Sequence, residues 1–322
     1  MRLVIVLFSL LILSLPVFAA DLEKVTIAQF GKEKFLLYLP LYVAMEEKIF
    51  EKNGIEVNLK FAGNDDQIFA SVISGNADFG MGDPIFTAIS KDKGGPGKVV
   101  AMMITKLGLS GVTNKPDLKP ITDVKALNGL RISSFARPST TYTLLQEIKR
   151  NHKLDDMKIV EGAFGAQIAL LEAGHVDIAV DIEPSVSIAE DKGYPVIFSL
   201  DKFTEPQAIT GLMTTEDVIK AKPETVQKVV SSLQEAVTLI HESPDASLRT
   251  ATALYPDLSE KVIRAALARM VGLGIYPDNI SIPDALWQSA IKTRLESGEL
   301  KKPQETNIAV DNSFADTANA SH

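Results

Sequence analysis

The chain has 322 residues, 46% of them hydrophobic and 23% charged, with a formal net charge of −8 and no cysteine. The missing cysteine excludes disulfides, zinc–thiolate sites, a cysteine nucleophile and a lipid-anchored cysteine, and the acidic balance argues against nucleic acid as a partner. The length exceeds one compact core and implies about two domains.

Residues 1–20 read as a secretory signal peptide. Arg2 supplies a minimal positive region, Leu3 to Leu15 is an apolar run interrupted only by Ser9 and Ser14, and Pro16 ends it. Val17-Phe18-Ala19 then offers small-residue cleavage positions. Cleavage is expected after Ala19 or Ala20, and losing Arg2 takes the net charge to −9. The run is short for a membrane span, and no later stretch reaches about eighteen apolar residues. A soluble, freely diffusing protein of a bacterial periplasm is therefore expected.

Apolar alternation in Lys24 to Gln29 predicts the first strand. A loop rich in aromatics and lysines follows, Phe30 to Tyr38. Leu41, Ala44, Met45 and Ile49 stand at helical spacing and predict a helix over 40–50. Asn53-Gly54 turns the chain into a strand over 55–61. A helix over 65–74, a strand over 77–81, a helix over 84–90 and a strand over 99–104 complete the first run. The second run begins with a strand over 109–113 and a short capped helix over 122–127. A strand over 130–133, a helix over 139–151 and a strand over 157–160 follow. A helix–strand–helix unit then runs from 165 to about 192, and 194–200 returns as a strand. After Glu205-Pro206 a strand over 208–214 gives way to helices over 225–241, 247–254, 259–271 and 283–297. Residues 303–322 lack any period and are expected to be a poorly ordered tail.

This order predicts an α/β protein of two lobes. Residues 21–105 and 205–302 would form lobe one, and residues 106–204 lobe two. The crossings near Lys106 and Phe203 are candidate hinges, since a few residues between rigid lobes can absorb closure.

The chain also repeats itself. Gly75-Asn76-Ala77-Asp78 runs on to Asp83-Pro84, and Gly174-His175-Val176-Asp177 runs on to Glu183-Pro184. Each copy follows a helix with a Gln near its start, Gln67 or Gln167. In each, a Gly ends the helix, a short strand follows, and an acid with Pro opens the next helix. Two equivalent corners suggest two similar lobes closing as a clamp on a small molecule.

Ligands of open α/β sheets bind beyond the carboxyl ends of strands, and four corners fit. In the first, Phe30, Phe35 and Tyr38 offer flat apolar walls, with Lys32 or Lys34 near the mouth; the alternative is packing between helix and sheet. In the second, Asp83 suits a helix cap, while Gly80 and Gly82 would let backbone approach a ligand. In the third, Ser133, Ser134, Phe135, Arg137, Ser139, Thr140 and Thr141 gather hydroxyls and a guanidinium at a helix start. That composition suits an oxyanion, against a reading of one N-cap and one solvated charge. In the fourth, Asp181 and Glu183 can accept from an amine or amidine, or serve only as helix-start acids. Phe164, between Gly162 and Gly165, would form a flexible wall beside them. The four corners together point to an oxyanion, a zwitterion or an aminopyrimidine-like ligand. No catalytic set is visible: His152, His175, His241 and His322 lack partners at a recognisable spacing, and no metal or cofactor motif occurs.

The signal segment, the Gly54-Ile55-Glu56-Val57 step, the two Gly-x-x-Asp turns and their acid–Pro corners together resemble the substrate-binding proteins of ABC importers. The branch is the NMT1/THI5-like one, which takes in nitrate, sulfonate, taurine and thiamine-pyrimidine binders. The resemblance spans essentially the whole mature chain. It implies a two-lobed periplasmic binding protein of type II with two hinge crossovers. A monomer without cofactor or nucleic-acid partner is expected. The resemblance implies ligand contacts at the four corners and delivery to an ABC permease in the inner membrane. The cysteine-rich motif of the yeast pyrimidine-synthesising enzymes on this fold is absent. An enzyme on the scaffold, of pyrimidine-synthase or lyase type, and a ligand-binding sensor are the alternatives.

Overall fold

A computed structural model describes residues 21–31, 34–106 and 108–321. The signal-peptide reading of residues 1–20, Lys32 at the cleft mouth and His322 lie outside the described residues.

The first lobe is built on β1 (Glu23–Gln29), β2 (Ile55–Phe61), β3 (Phe79–Gly82) and β4 (Lys98–Ile104). Helices α1 (Leu39–Glu46), α2 (Ile49–Lys52), α3 (Asp65–Ile73) and α4 (Ile85–Asp92) connect them. The chain then enters the second lobe at β5 (Ser110–Val112). There β6 (Arg131–Phe135), β7 (Lys158–Gly162), β8 (Ala179–Asp181) and β9 (Val196–Ser199) alternate with α5 (Thr140–Asn151), α6 (Gln167–Glu172) and α7 (Ser185–Asp191). β10 (Thr210–Thr214) returns to the first sheet. It is followed by α8 (Glu216–Ala221), α9 (Pro223–Glu242), α10 (Pro244–Leu254), α11 (Glu260–Gly272), α12 (Asp284–Glu296), α13 (Thr306–Ala309) and α14 (Ser313–Asn319).

The two sheets share one plan. The first has strand order β2-β1-β3-β10-β4, with β1 parallel to β2 and β3, and β10 antiparallel to both its neighbours. In the second, β6 lies parallel to β7, and β5 runs antiparallel between β8 and β9. A parallel bridge between Ile132 and Ile178 sets β6 beside β8, so the order is β7-β6-β8-β5-β9. In each lobe the antiparallel strand follows a crossover: residues 105–109 lead into β5 and residues 200–209 into β10. β3, β4 and β10 are almost continuously apolar because helices cover both faces of the first sheet, which leaves no solvent side to demand alternation.

The duplicated turns are structural. Gly75 and Gly174 adopt φ of 73° and 72°, a left-handed conformation that suits glycine at a helix C-terminus. Asp78 Oδ2 accepts from Thr26 N at 2.9 Å and Asp177 Oδ2 from Arg131 N at 2.8 Å, so the copies pin β1 in the first lobe and β6 in the second.

Two expectations change. Residues 304–321 pack on the first lobe: α14 lies on α9 with Ala315 and Ala318 buried, and Val310 bridges Val99 at the edge of β4. Alanines three apart let the two helices approach closely, and so short a stripe gives little periodic signal. A helix over Glu216–Ala221, capped by the Thr215 hydroxyl at Val218 N, also goes beyond the sequence reading.

Candidate ligand-binding site

A cavity lies where the carboxyl ends of both sheets meet. Phe30 reaches it from the end of β1 and Asp83 from the end of β3. Phe135 enters from β6, Ile182 from the end of β8, and Leu109 and Ile209 from the crossovers. It leaves about 70 Å³ for the centres of water-sized molecules. At roughly 10–15 Å³ of such space per water, that suits several waters or one compact ligand.

Four aromatic rings dominate its apolar wall. Phe164, on the turn after β7, stacks on Phe135 at a centroid distance of 4.3 Å and 29°. Its other contacts are with the first lobe, at 4.4 Å from Phe30 and 4.5 Å from Phe35. One half-buried side chain of the second lobe is thus inserted into an aromatic socket of the first. Tyr38 completes the wall, and burial raises its phenol well above the ordinary value, so it stays neutral.

The polar side is carried by Asp83, Asp65 and the start of α5. Asp83 Oδ1 accepts from Ile85 N at 3.0 Å, the capping role expected of it. Asp83 Oδ2 accepts from Arg294 Nη2 at 2.6 Å and from the Thr140 hydroxyl. Arg294, 2% exposed, also donates to Thr140 Oγ1 at 2.8 Å, Thr143 Oγ1 at 3.0 Å and Glu299 Oε2 at 2.8 Å. α12 thereby ties the Asp83 corner of the first lobe to the α5 N-terminus of the second. Asp65 Oδ1 accepts from Asp83 N at 2.8 Å. Burial, and then the neighbouring Asp83 charge, push the Asp65 carboxyl up to about 7, with backbone hydrogen bonding and Arg294 offsetting part of the rise. Ser139 caps α5, its hydroxyl accepting from Tyr142 N at 3.2 Å and donating to Phe135 O at 2.9 Å.

Of the residues expected at the ligand, Phe30, Tyr38, Asp83, Phe135, Ser139, Thr140, Thr141 and Phe164 line the cavity. The others stand behind it or outside it. Phe35 backs Phe164. Gly82 has its open side turned to α3, where a Cβ would come within 2.6 Å of Asp65 Oδ1; Gly80 likewise faces Ile68 at 2.7 Å. The two glycines therefore admit a packed helix rather than a ligand. Ser134 is buried, its hydroxyl donating to Phe135 O at 2.9 Å. Arg137 turns outward to Glu161, its Nη2 2.8 Å from Oε1, and lies over the Tyr142 ring at 4.8 Å. Asp181 is buried behind Ile182, with Oδ1 accepting from Ile182 N at 2.8 Å and Oδ2 without a partner among the described residues. Glu183 is buried against Arg269 Nε at 2.6 Å and accepts from Ser187 N at 3.1 Å, which joins α7 to α11. Lys34 lies over the Tyr42 ring at 5.8 Å.

Asp65 and Arg294 escaped the sequence reading. Asp65 follows Asn64 in a capping box and looks like any helix-start acid. Arg294 sits in a helix with no clear apolar face and with charges at Asp284, Lys292 and Glu296, and only the fold shows that it points inward.

Among known proteins, the chain is 20% identical to the binding protein YtlA of Bacillus subtilis over 302 residues, 92% of this chain and 90% of that one. The alkanesulfonate-binding protein SsuA of Xanthomonas axonopodis, solved with MOPS bound, superposes with a TM-score of 0.71 at 17% identity, covering 91% of this chain and all of that one. The periplasmic nitrate-binding protein NrtA of Synechocystis gives 0.73 at 12% identity, over 94% and 89%. The desulfurization enzyme DszB shares the fold as well, at 0.64 and 15% over 93% and 99%. These likenesses establish the two-lobed periplasmic-binding-protein fold. Residues 37–247 match the profile described as NMT1/THI5 like, and the chain belongs to that family.

Proposed function

We propose that this protein is a periplasmic solute-binding protein that captures a small polar organic ligand between its lobes and delivers it to an ABC permease of the inner membrane. The observation that carries this reading is the cavity itself. It is walled from both lobes, and contacts that exist only when the lobes are together close it: Phe164 in the Phe30–Phe35 socket, and Arg294 across Asp83 and Thr140. Such a site would form on closure, with the crossovers that precede β5 and β10 as the hinges. The named binding proteins that share the fold take small solutes, which supports the same reading. An enzyme would need a nucleophile or an acid–base pair facing the cavity. Among the described lining residues Ser139 is held as the α5 cap, the Thr140 hydroxyl is bonded to the Asp83 carboxylate, and Asp65 accepts from Asp83 N, with no His or Lys there to activate a hydroxyl.

The test is thermal-shift screening of the mature chain against a library of small metabolites, followed by calorimetry of each hit. A one-to-one complex with unchanged ligand, and a smaller radius of gyration by X-ray scattering, is the expected outcome. Chemical conversion of a hit would overturn it in favour of an enzyme. Binding and closure without permease-dependent uptake would turn it to a sensor.

A further inference from the structure

Resting on the reading of this cavity as a solute site, we infer that it takes a compact organic cation and that Asp65 is the carboxylate that recognises it. The sign of charge follows from the lining. Asp65 and Asp83 face the cavity, and no Lys, Arg or His lines it among the described residues. Arg294 stands behind the wall, and its terminal nitrogens are already engaged by Asp83, Thr140, Thr143 and Glu299. It neutralises Asp83 and has no fork left to offer an anion. Asp83 is likewise satisfied, by Ile85 N, Thr140 and Arg294. Asp65 differs: Oδ1 accepts from Asp83 N, and Oδ2 receives no hydrogen bond among the described residues. Three carboxylates, Asp65, Asp83 and Glu299, thus surround one guanidinium, which leaves two negative charges in excess when all three are ionised. A monocation at Asp65 offsets one of them.

The rest of the wall suits the same guest. Phe30, Phe135, Phe164 and Tyr38 line the cavity with aromatic rings, and a cation stripped of water is attracted to any ring face it meets there. An oxyanion would meet those faces, and Asp65, with no compensating base. When the cavity is empty, Asp65 can take a proton instead, since its carboxyl sits near about 7. Asp83 at the corner, Asp66 on the same helix, Tyr38 opposite and Arg294 behind are the groups that face it. A cation therefore competes with that proton.

The test is a charge series of nearly equal shape: benzamidine, benzamide and benzoate, titrated calorimetrically into the mature protein at pH 5.5 and 8. Benzamidinium is expected to bind at least tenfold more tightly than benzamide, with benzoate weaker still. Its affinity should rise at least tenfold from pH 5.5 to 8. Asp65→Asn should lose at least tenfold for benzamidinium, little for benzamide, and most of the pH dependence. The exposed Arg137→Ala should bind benzamidinium unchanged. Tighter binding of benzoate overturns the inference and leaves the solute-binding reading intact. Equal binding of benzamidinium by Asp65→Asn removes the role of Asp65. Silence of the whole series toward folded wild-type protein overturns the inference, and only silence of the metabolite library as well overturns the reading beneath it. The wild-type series and its pH profile decide the matter even where the variant fails to fold.

Discussion

Arg294 Nη2 lies 2.6 Å from Asp83 Oδ2, and both side chains are withdrawn from solvent. Their positions 211 apart in sequence bring the last long helix onto the corner that closes β3. Removing one member of a buried pair strands the other charge, at a cost of about 3–5 kcal/mol. Arg294→Met should therefore lose about that much in urea unfolding. Arg294→Lys should recover only part, because a single ammonium cannot span the acceptors that two guanidinium nitrogens reach. Adding Asp83→Asn to Arg294→Met should restore much of the loss by removing the stranded charge. An Arg294→Met midpoint equal to wild type would show that the pair contributes nothing to the fold.

Phe164 is the corresponding contact on the apolar side. Its ring meets three others, each such pair contributing about 0.5–1.5 kcal/mol beyond area burial. Because two of the three partners belong to the opposite lobe, much of that energy holds the lobes together. Phe164→Ala should lower stability by about 1–3 kcal/mol and enlarge the radius of gyration of the ligand-free protein. An unchanged scattering profile would mean that closure depends on the Arg294 network alone.

How much of this was legible in the sequence depends on the distance over which each residue acts. Ser139, Asp83 and the Gly75 and Gly174 turns act within a few residues, and their local chemistry announces them. Phe30, Phe135 and Phe164 could be assigned to strand ends from their position, though not to one cluster. Arg137 misled because a guanidinium beside five hydroxyls suits an anion. Its actual partner, Glu161, lies on the neighbouring strand β7, and pairing across β6 and β7 turns the side chain outward. Arg294 and Asp65 were silent because their partners are far away in sequence and their local settings are ordinary. The tail after Pro303 was silent for another reason: two buried alanines on α14 carry the packing, and alanine is nearly neutral in any pattern of hydrophobicity.

Asp181 is 1% exposed, and its Oδ2 has no hydrogen-bond partner among the described residues. Burial pushes its carboxyl from the ordinary 3.8 up to about 7, with the Ile182 backbone opposing and Glu183 adding to the rise. The folded chain therefore binds this proton more tightly than the unfolded chain. Its contribution is most favourable below about pH 4 and is lost as pH rises toward 7, where the buried side chain must ionise. Asp181→Asn keeps an acceptor for Ile182 N and removes that ionisation. It should stabilise the protein by about 1–3 kcal/mol at pH 8 and by little at pH 4, within the several kcal/mol that a shift of this size represents. Urea midpoints at the two pH values check it; a gain of equal size at both would point to packing instead.

Asp177 titrates in the opposite direction. Hydrogen bonds from Arg131, and then from Lys115, hold its carboxyl well below the usual range against the cost of burial. A depressed value means stability that is complete above about pH 4 and lost as the pH falls toward the folded-state value. Asp177→Asn keeps an oxygen for Arg131 N but gives up both ion pairs. It should cost about 1–2 kcal/mol at pH 7, toward the low end for hydrogen bonds to charged groups because both cations reach solvent. The penalty should shrink in acid below about pH 3. Asp78 holds the same place in the first lobe, with Lys222 at 3.2 Å as its ion-pair partner, so Asp78→Asn should cost less. Neither substitution should alter ligand affinity, because Asp78 and Asp177 precede β3 and β8, at the opposite ends of those strands from the cavity, and neither lines it. A change of affinity without a change of stability would move the duplicated turn from the frame of the clamp into its binding site.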